Sequence, residues 1–293
     1  MSGAHLHLQP WHLSVLLTSL VFVALAYLRG WLRLRSASPS PISVWPLAAF
    51  IGGLSFLWIA LGSPLAALDH ELLTIHMINH LVLMLVVAPL LLVGTPARAL
   101  SWGLPARIGR GVQDLFLHNP AAQWLLRVLT HPVFCWLCAI AAVIGWHLPA
   151  GFRLAMRFHW LHDIEYASFT LAGLLFWWPV VQPATKVPPR PRWSMPLYLF
   201  LATLPCDILS AFLVFCDRVV YPSYLSAPRL FNLSPLQDQQ CAGALMWVSV
   251  TFAYLLPAAV ITVKILSPRG MHLERQAQGA SAAPLNGSQA EVA

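Results

Sequence analysis

Long apolar stretches alternate with short polar connections along the whole chain. Seven of these stretches are nearly free of charge over about 20 residues, the length of helix that crosses a bilayer. They cover Trp11–Leu28, Trp45–Ser63, Leu73–Val93, Val128–His147, Asp163–Val181, Ser194–Cys216 and Cys241–Ile265. The pattern predicts an all-α fold, a polytopic bundle of seven transmembrane helices, with the membrane domain over residues 11–266.

The composition narrows the class of protein. Of the 293 residues, 58% are hydrophobic and only 9% are charged, and the mean hydropathy is +0.69. A soluble domain carries about 25% charged residues, so this chain has too few polar side chains to cover a globular surface. A soluble enzyme, a disordered protein and a nucleic-acid-binding module are therefore disfavoured, and the expected surrounding is a lipid bilayer.

The basic residues predict the orientation of the bundle. Thirteen of the 17 Lys and Arg fall in connections on one side, which the positive-inside rule assigns to the cytoplasm: Arg29, Arg33, Arg35, Arg98, Arg107, Arg110, Arg127, Lys186, Arg190, Arg192, Lys264, Arg269 and Arg275. Residues 1–10 then form an outer segment. The tail over residues 267–293 is cytoplasmic and, being rich in Ala, Gly, Ser and Gln without apolar periodicity, is predicted to be disordered.

Histidines and acids gather on the opposite, outer side. With this topology nine of the 12 His and seven of the ten acids lie there. Outer connections depleted of Lys and Arg would look partly acidic without any function. The enrichment in His is therefore more informative than the enrichment in acids. It suits cation handling outside the cytoplasm.

The third span carries the sharpest local pattern. His76, His80 and Met84 are four residues apart, which places them on one stripe of a helix. Two imidazoles and a thioether suit Cu(I) or Cu(II). The alternative is that each histidine packs against a neighbouring helix, but polar groups at this depth are costly and are usually functional. We expect His76 and His80 to bind copper.

A second polar cluster surrounds the connection between the fourth and fifth spans. His147 ends the fourth span, while His159, His162 and Glu165 follow at a spacing of three, so they share a face if the fifth helix begins near His159. We count His147, His159 and His162 among the expected metal ligands, and Glu165 is placed to orient a metal-bound imidazole. An interfacial belt of Trp, His and Tyr is the alternative.

Other candidates are less specific. Asp207 lies within the sixth span, where an acid is a functional candidate by default, with a packing partner as the alternative. Asp238 and Met246 lie in the last span near its outer end, and Asp238 also suits the first turn of a helix that begins after Ser234. We include Asp238 and Met246 among the possible ligands and place Asp163 and Asp207, like Glu165, in a supporting role. The C-x-x-C pair Cys135 and Cys138 is assigned to packing.

Several ordered motifs resemble the polytopic CtaG-like cytochrome c oxidase assembly family of bacterial membranes, which is distinct from the single-span copper chaperone that shares the name. The resemblance covers roughly residues 48–266. It rests on His76-Met77-Ile78-Asn79-His80 with Met84, Ala88-Pro89-Leu90-Leu91, Gly94-Thr95-Pro96, Trp146-His147-Leu148-Pro149, His162 to Glu165 with Phe176-Trp177-Trp178-Pro179, and Asp238-Gln239-Gln240 with Gly243 and Met246-Trp247.

The resemblance implies a non-catalytic assembly factor of the bacterial inner membrane. Such a chaperone would bind copper at the outer face and deliver it to subunits of a haem-copper cytochrome c oxidase, with a periplasmic protein as a possible copper donor. The chain departs from the family in one position: where the family often has Glu-His, this sequence has Glu165-Tyr166, which removes one candidate imidazole.

Two other functions fit parts of the pattern. A membrane di-iron oxidase would use H-x-x-x-H and H-x-x-H boxes, which His76/His80 and His159/His162 match superficially, but such boxes need more histidines on the cytoplasmic side. A haem-binding or transport bundle would need only two axial histidines on facing spans.

Overall fold

The computed structural model describes residues 10–38, 42–181 and 193–267, and every regular element in these ranges is helical. Twelve α-helices cover Pro10–Ala37 (α1), Trp45–Gly62 (α2), Leu73–Leu81 (α3), Ala88–Val93 (α4), Pro96–Gly103 (α5), Ala106–His118 (α6), Pro120–Leu129 (α7), Pro132–His147 (α8), Pro149–Arg157 (α9), His159–Val181 (α10), Ser194–Phe215 (α11) and Pro235–Leu266 (α12). Short 3-10 helices cover Ala66–His70, Pro222–Leu225 and Leu230–Asn232.

The all-α membrane bundle predicted from the apolar stretches is confirmed. Six helical segments of the described chain are long and apolar enough to cross a membrane, and a bent pair brings the number to seven. Among them are α1, α2, α10, α11 and α12, together with a continuous segment over Leu73–Val93. The predicted outer segment 1–10 and tail 267–293 lie outside the described residues, apart from Pro10 and Ser267.

The fourth predicted span is not one straight helix. Helices α7 and α8 meet at an angle of 59°, because Pro132 has no N–H to continue the helix and disfavours helical geometry in the residue before it. The thiol of Cys135 donates across the bend to the carbonyl of Leu129 at 3.1 Å. Cys135 and Cys138 are not joined in a disulfide.

The third span has a wider turn at its centre. Residues Val82–Val87 between α3 and α4 form a π-helical turn, in which the N–H of Ala88 donates to the carbonyl of Leu83, five residues earlier. The same pattern would pair the Met84 carbonyl with residue 89, but Pro89 has no N–H. The indole Nε1 of Trp177 donates to this carbonyl instead, at 2.9 Å. Helix α10 thus completes the hydrogen bonding that the third span leaves open.

The third span lies at the centre of the bundle. Its buried side chains form the main core with those of α8, α10, α11 and α12. Gly173 of α10 permits a close approach to this span, because a Cβ atom there would lie 2.9 Å from the Cβ of Ala88 and 3.1 Å from the Cα of Met84. Helix α1 lies further out, and its Tyr27 donates to the carbonyl of Gly94 at 2.6 Å.

One end of the bundle is closed by its connecting segments. Gln239 at the start of α12 fixes the connection after α11, accepting from the N–H of Val220 at 2.7 Å and donating to the carbonyls of Leu213 and Arg218. Tyr221 of the same connection donates to the carbonyl of His147 at 2.9 Å. This is the end at which α3, α10 and α12 begin and α8 ends, so their terminal residues meet beneath a shared cover.

Candidate metal centre

Helix α3 presents two imidazoles to the interior of the bundle. His76 and His80 are one helical turn apart, and their rings meet edge to face with 4.3 Å between centroids. Both are almost completely buried. The helical spacing read from the sequence therefore places the two imidazoles on one inward face, as expected.

Helix α10 supplies a carboxylate to the same place. Glu165 has no exposed surface, and its Oε1 lies 3.5 Å from the Nε2 of His76 and 3.4 Å from the Nε2 of His80. These separations exceed ordinary hydrogen-bond lengths. The three side chains thus face a common point without bonding directly to one another.

A second carboxylate completes the cluster. Asp69 comes from the 3-10 helix before α3, and its Oδ2 lies 3.4 Å from the Nε2 of His162. His162 Nε2 also lies 4.0 Å from the Oε2 of Glu165. Two overlapping triads result, one of Asp69, His76 and His162 and one of His76, His80 and Glu165, each with ligand atoms within 4.8 Å of one another.

The atoms of this cluster have few hydrogen-bond partners. Eight buried nitrogen and oxygen atoms in it make no hydrogen bond: Asp69 Oδ1, both ring nitrogens of His76 and of His80, His162 Nε2, and both carboxylate oxygens of Glu165. No Lys or Arg is buried among the residues whose burial is described. A buried carboxylate without a donor is costly, so the site needs protons, on the imidazoles or on the carboxyl groups themselves, or a bound cation.

Tyrosines hold the Asp69 segment in place. The Tyr166 hydroxyl donates to Asp69 Oδ2 at 2.5 Å and accepts from Asn79 Nδ2 at 3.2 Å. Tyr224 donates to the backbone carbonyl of Asp69 at 2.7 Å. Burial raises the pKa of the Tyr224 phenol well above its ordinary value, so it remains a donor. Tyr166, which stands where the family often has His, therefore positions the carboxylate of Asp69.

Three of the predicted ligands lie deeper in the bundle than the cluster, namely His147, Met84 and Met246. The ring of His147 is 6.0 Å from that of His80, and its Nε2 lies 3.1 Å from the sulfur of Met77. Met84 and Met246 line a small cavity together with His80 and His147. The single ligand set predicted from the sequence is thus divided into an imidazole–carboxylate cluster and a neighbouring cavity rich in sulfur.

Asp238 has a structural task. Its Oδ2 accepts from the N–H of Leu73 at 2.7 Å, and its Oδ1 accepts from the N–H of Thr74 at 3.1 Å and from the Thr74 hydroxyl at 2.6 Å. These groups begin α3 and would otherwise lack acceptors. Asp238 therefore caps α3 from another helix, and both of its carboxylate oxygens are engaged in doing so.

Three other predicted residues lie away from the cluster. His159 is the first residue of α10 and is exposed, 6.3 Å from the ring of His70. Asp163 is also exposed, because a two-residue step along α10 turns it away from Glu165. Asp207 is half-buried in α11, where its carboxyl interacts with Thr203. None of the three is part of the two triads.

Asp69 and His70 lie at the cluster although no pattern in the sequence points to them. The His70 ring lies 4.9 Å from that of His162, at the mouth of the cluster. Burial lowers the pKa of His70, against the opposing effect of Asp69. Both belong to a five-residue 3-10 helix, and the sequence carries no periodic signal that reveals how so short a segment folds back onto α3.

The fold and the cluster define a class: a multi-pass helical membrane protein with a buried imidazole–carboxylate site at one end of the bundle. The family model described as cytochrome c oxidase caa3 assembly factor (Caa3_CtaG) matches residues 25–267. The chain therefore belongs to the family of cytochrome c oxidase caa3 assembly factors, as its motifs indicated.

Curated relatives occur in mycobacteria and are described as uncharacterized proteins. Those of Mycobacterium bovis and Mycobacterium tuberculosis are each 26% identical over 265 residues, and that of Mycobacterium leprae is 23% identical over 262. Each match covers 84% of this chain and 37% of the relative, so the chain spans just over a third of the relatives' length. No solved structure matches the chain.

Proposed function

We propose that this protein is a copper carrier of the bacterial inner membrane that loads a haem-copper cytochrome c oxidase during its assembly. Family membership supports the role in oxidase assembly. The cluster would hold one copper ion near the outer end of the bundle, receive it from a periplasmic donor and pass it to an oxidase subunit. Copper is the cargo in this proposal, and we assign the chain no catalytic step.

The observation that carries the copper assignment is the set of eight buried ligand-type atoms without hydrogen-bond partners. Imidazole nitrogens and carboxylate oxygens from three separate segments converge there. A proton on one imidazole would balance one carboxylate, but Asp69 and Glu165 together bring two negative charges. A divalent metal ion offsets both charges and at the same time uses the unpaired nitrogens.

The ligand set we propose is His76, His80 and His162 with Glu165 and Asp69. Neutral imidazoles suit copper, and the carboxylates lower the cost of burying its charge. Tyr166 and Tyr224 would act outside the ligand set by fixing Asp69, the kind of support on which metal affinity commonly depends.

The geometry disfavours the two alternative functions. The rings of His76 and His162 lie 5.6 Å apart and those of His76 and His80 lie 4.3 Å apart, which leaves no space for a porphyrin between them. A di-iron oxidase would use His159 and His162 as its second pair of ligands. His159 is exposed and His162 is buried, so the two rings do not face one common site.

Metal analysis of the detergent-purified full chain tests the proposal. With Cu(II) as the metal supplied, we expect about one copper per wild-type chain and loss of that copper in a His76→Ala/His80→Ala variant. A His118→Ala/His131→Ala variant is the matched control, because both of these residues are exposed and lie outside the cluster. X-ray absorption should show nitrogen scatterers at about 2 Å, the distance typical of imidazole. Equal copper in all three proteins would overturn the assignment.

Loss of the gene tests the physiological part. When a carrier is lost, its client polypeptide is still made but stays immature. Oxidase activity should therefore fall much more than oxidase transcript, and added copper should restore part of the activity by mass action. The His76→Ala/His80→Ala variant should reproduce the loss while it still accumulates in the membrane. A stable variant that supports fully active, fully metallated oxidase would show that these histidines are structural.

A further inference from the structure

A small cavity lies directly beneath the imidazole–carboxylate cluster. It has a volume of about 20 Å³, enough for one water-sized particle. Four of the residues around it carry sulfur, namely Met77, Met84, Met246 and Cys206, and all four are buried. The chain has seven Met in all, and three of them face this one cavity. Leu would fill nearly the same space, so packing alone does not call for Met.

His147 points an unshared electron pair towards this sulfur-rich wall. Its Nδ1 lies 2.7 Å from the carbonyl of Val143, an acceptor, so Nδ1 carries the proton. The Nε2 of a neutral ring then presents a lone pair, and it lies 3.1 Å from the sulfur of Met77. Two electron-pair donors therefore face each other in a buried site, and neither can donate a proton to the other.

We propose that Met77 and His147, with Met84, Met246 and Cys206 around them, form a second metal site that takes a soft monovalent cation, Cu(I). An ion between the imidazole and the thioether would use both electron pairs at once. Thioethers bind Cu(I) and need no proton removed. The inference rests on the proposed copper function for its physiological role, but the binding that it predicts is measured separately.

The charge of the surroundings separates the two sites. The cluster contains the carboxyl groups of Asp69 and Glu165 and suits a divalent ion, whereas the cavity wall is formed by thioethers, a thiol, imidazoles, the phenol of Tyr254 and apolar groups. The cost of burying an ion in such a wall rises steeply with its charge. The cavity therefore selects a monovalent ion, and no electron transfer is part of this proposal.

A continuous file of imidazoles leads from the surface to the cavity. Ring centroids are 6.3 Å apart between His159 and His70, 4.9 Å between His70 and His162, 5.6 Å between His162 and His76, 4.3 Å between His76 and His80, and 6.0 Å between His80 and His147. The file begins at an exposed ring and ends at Met77. Because His80 belongs both to the cluster and to the cavity wall, it joins the two sites.

Silver(I), a soft monovalent ion that does not change oxidation state, is the probe. Its binding is compared in the detergent-purified full chain and in a Met77→Leu/Met84→Leu/Met246→Leu variant, since Leu keeps nearly the volume of Met. We expect at least a tenfold loss of silver(I) affinity and unchanged binding of Zn(II), which reports on the cluster. Met195→Leu, at the far end of α11, is the matched control.

The outcomes separate this site from the copper function proposed above. Silver(I) binding that is equal in wild type and the triple variant overturns the soft site and leaves the cluster standing. Silver(I) binding that depends on the methionines in a chain that binds no Zn(II) or Cu(II) supports the soft site and overturns the cluster. Should the triple variant not fold, X-ray absorption of silver-loaded wild type decides the matter: sulfur scatterers support the site, and their absence overturns it.

Discussion

The Tyr166 hydroxyl donates to the Oδ2 of Asp69 at 2.5 Å and joins α10 to the 3-10 helix that precedes α3. Removing this hydroxyl in Tyr166→Phe frees Asp69 and leaves Asn79 without an acceptor. We expect copper affinity to fall about 10- to 100-fold, the usual effect of losing a partner of a metal ligand. Competition titration with a chromophoric chelator measures it.

Tyr198→Phe is the matched control for this change. The Tyr198 hydroxyl is buried and donates to the carbonyl of Phe176 at 2.9 Å, away from the cluster. Its loss should reduce stability without changing copper affinity. If the two variants bind copper equally well, Tyr166 does not position a ligand.

Asp238→Asn should destabilise the start of α3. The amide offers one acceptor oxygen in place of two, so the N–H groups of Leu73 and Thr74 lose the separate, charged acceptors that they now use. We expect the free energy of unfolding to fall by about 1–3 kcal/mol, seen as a lower melting temperature in detergent. Asp163→Asn, at an exposed acid of the same end, should leave the melting temperature unchanged. If the Asp238→Asn variant lost copper at temperatures below its melting temperature, Asp238 would be a copper ligand.

Trp177→Phe removes the donor that serves the Met84 carbonyl. The cost should be about 1–3 kcal/mol of unfolding free energy. Pro89→Ala restores an N–H in the third span that can take over, so Trp177→Phe should cost less in a Pro89→Ala background. A double-mutant cycle measures this coupling. Strict additivity would mean that the indole and the proline act independently.

Gly173→Ala should open the contact between α10 and the third span. The added Cβ meets Ala88 at 2.9 Å, closer than packed carbon atoms approach, and overpacking of this kind costs about 1–3 kcal/mol. Gly145→Ala is the control, because a Cβ there meets no other atom within 4 Å. Its melting temperature in detergent should stay the same or rise, since Ala favours helix. An equal response of the two variants would contradict the close packing.

The orientation of the bundle is open to a direct test. Reporter fusions at Gly111, at Pro188 and at the C-terminus should lie in the cytoplasm, and fusions in the connection over residues 217–234 should lie outside, as the distribution of Lys and Arg predicts. The cluster then opens to the outer side. An external C-terminus would contradict both the topology and the proposed periplasmic donor.

The features that could be predicted from the sequence are mostly those that helix periodicity determines. The third span at Leu73–Val93 has the predicted bounds, and His76 and His80 share an inward face because their spacing fixes it. Glu165 was expected to support an imidazole and lies in the cluster itself. Such features are local to one helix and can be read from spacing alone.

Features that depend on tertiary packing were not predictable in this way. The bend before Pro132 falls within a stretch long enough to count as one span, so length and hydropathy alone do not show it, although Pro132 is a signal for a break. Asp69 reaches His162 because a short segment folds back over α3. Asp238 caps a helix 165 residues earlier in the chain, a pairing that no sequence spacing encodes.

The π-helical turn at Val82–Val87 also fixes the relative rotation of the two halves of the third span. An α-helix advances about 100° per residue, so deleting one residue there would turn His76 and His80 by that angle relative to Ala88 and its contact with Gly173. Only one half could then keep its partners. In an alignment, a relative with an uninterrupted α-helix at this point would therefore require a one-residue gap in the middle of a membrane span.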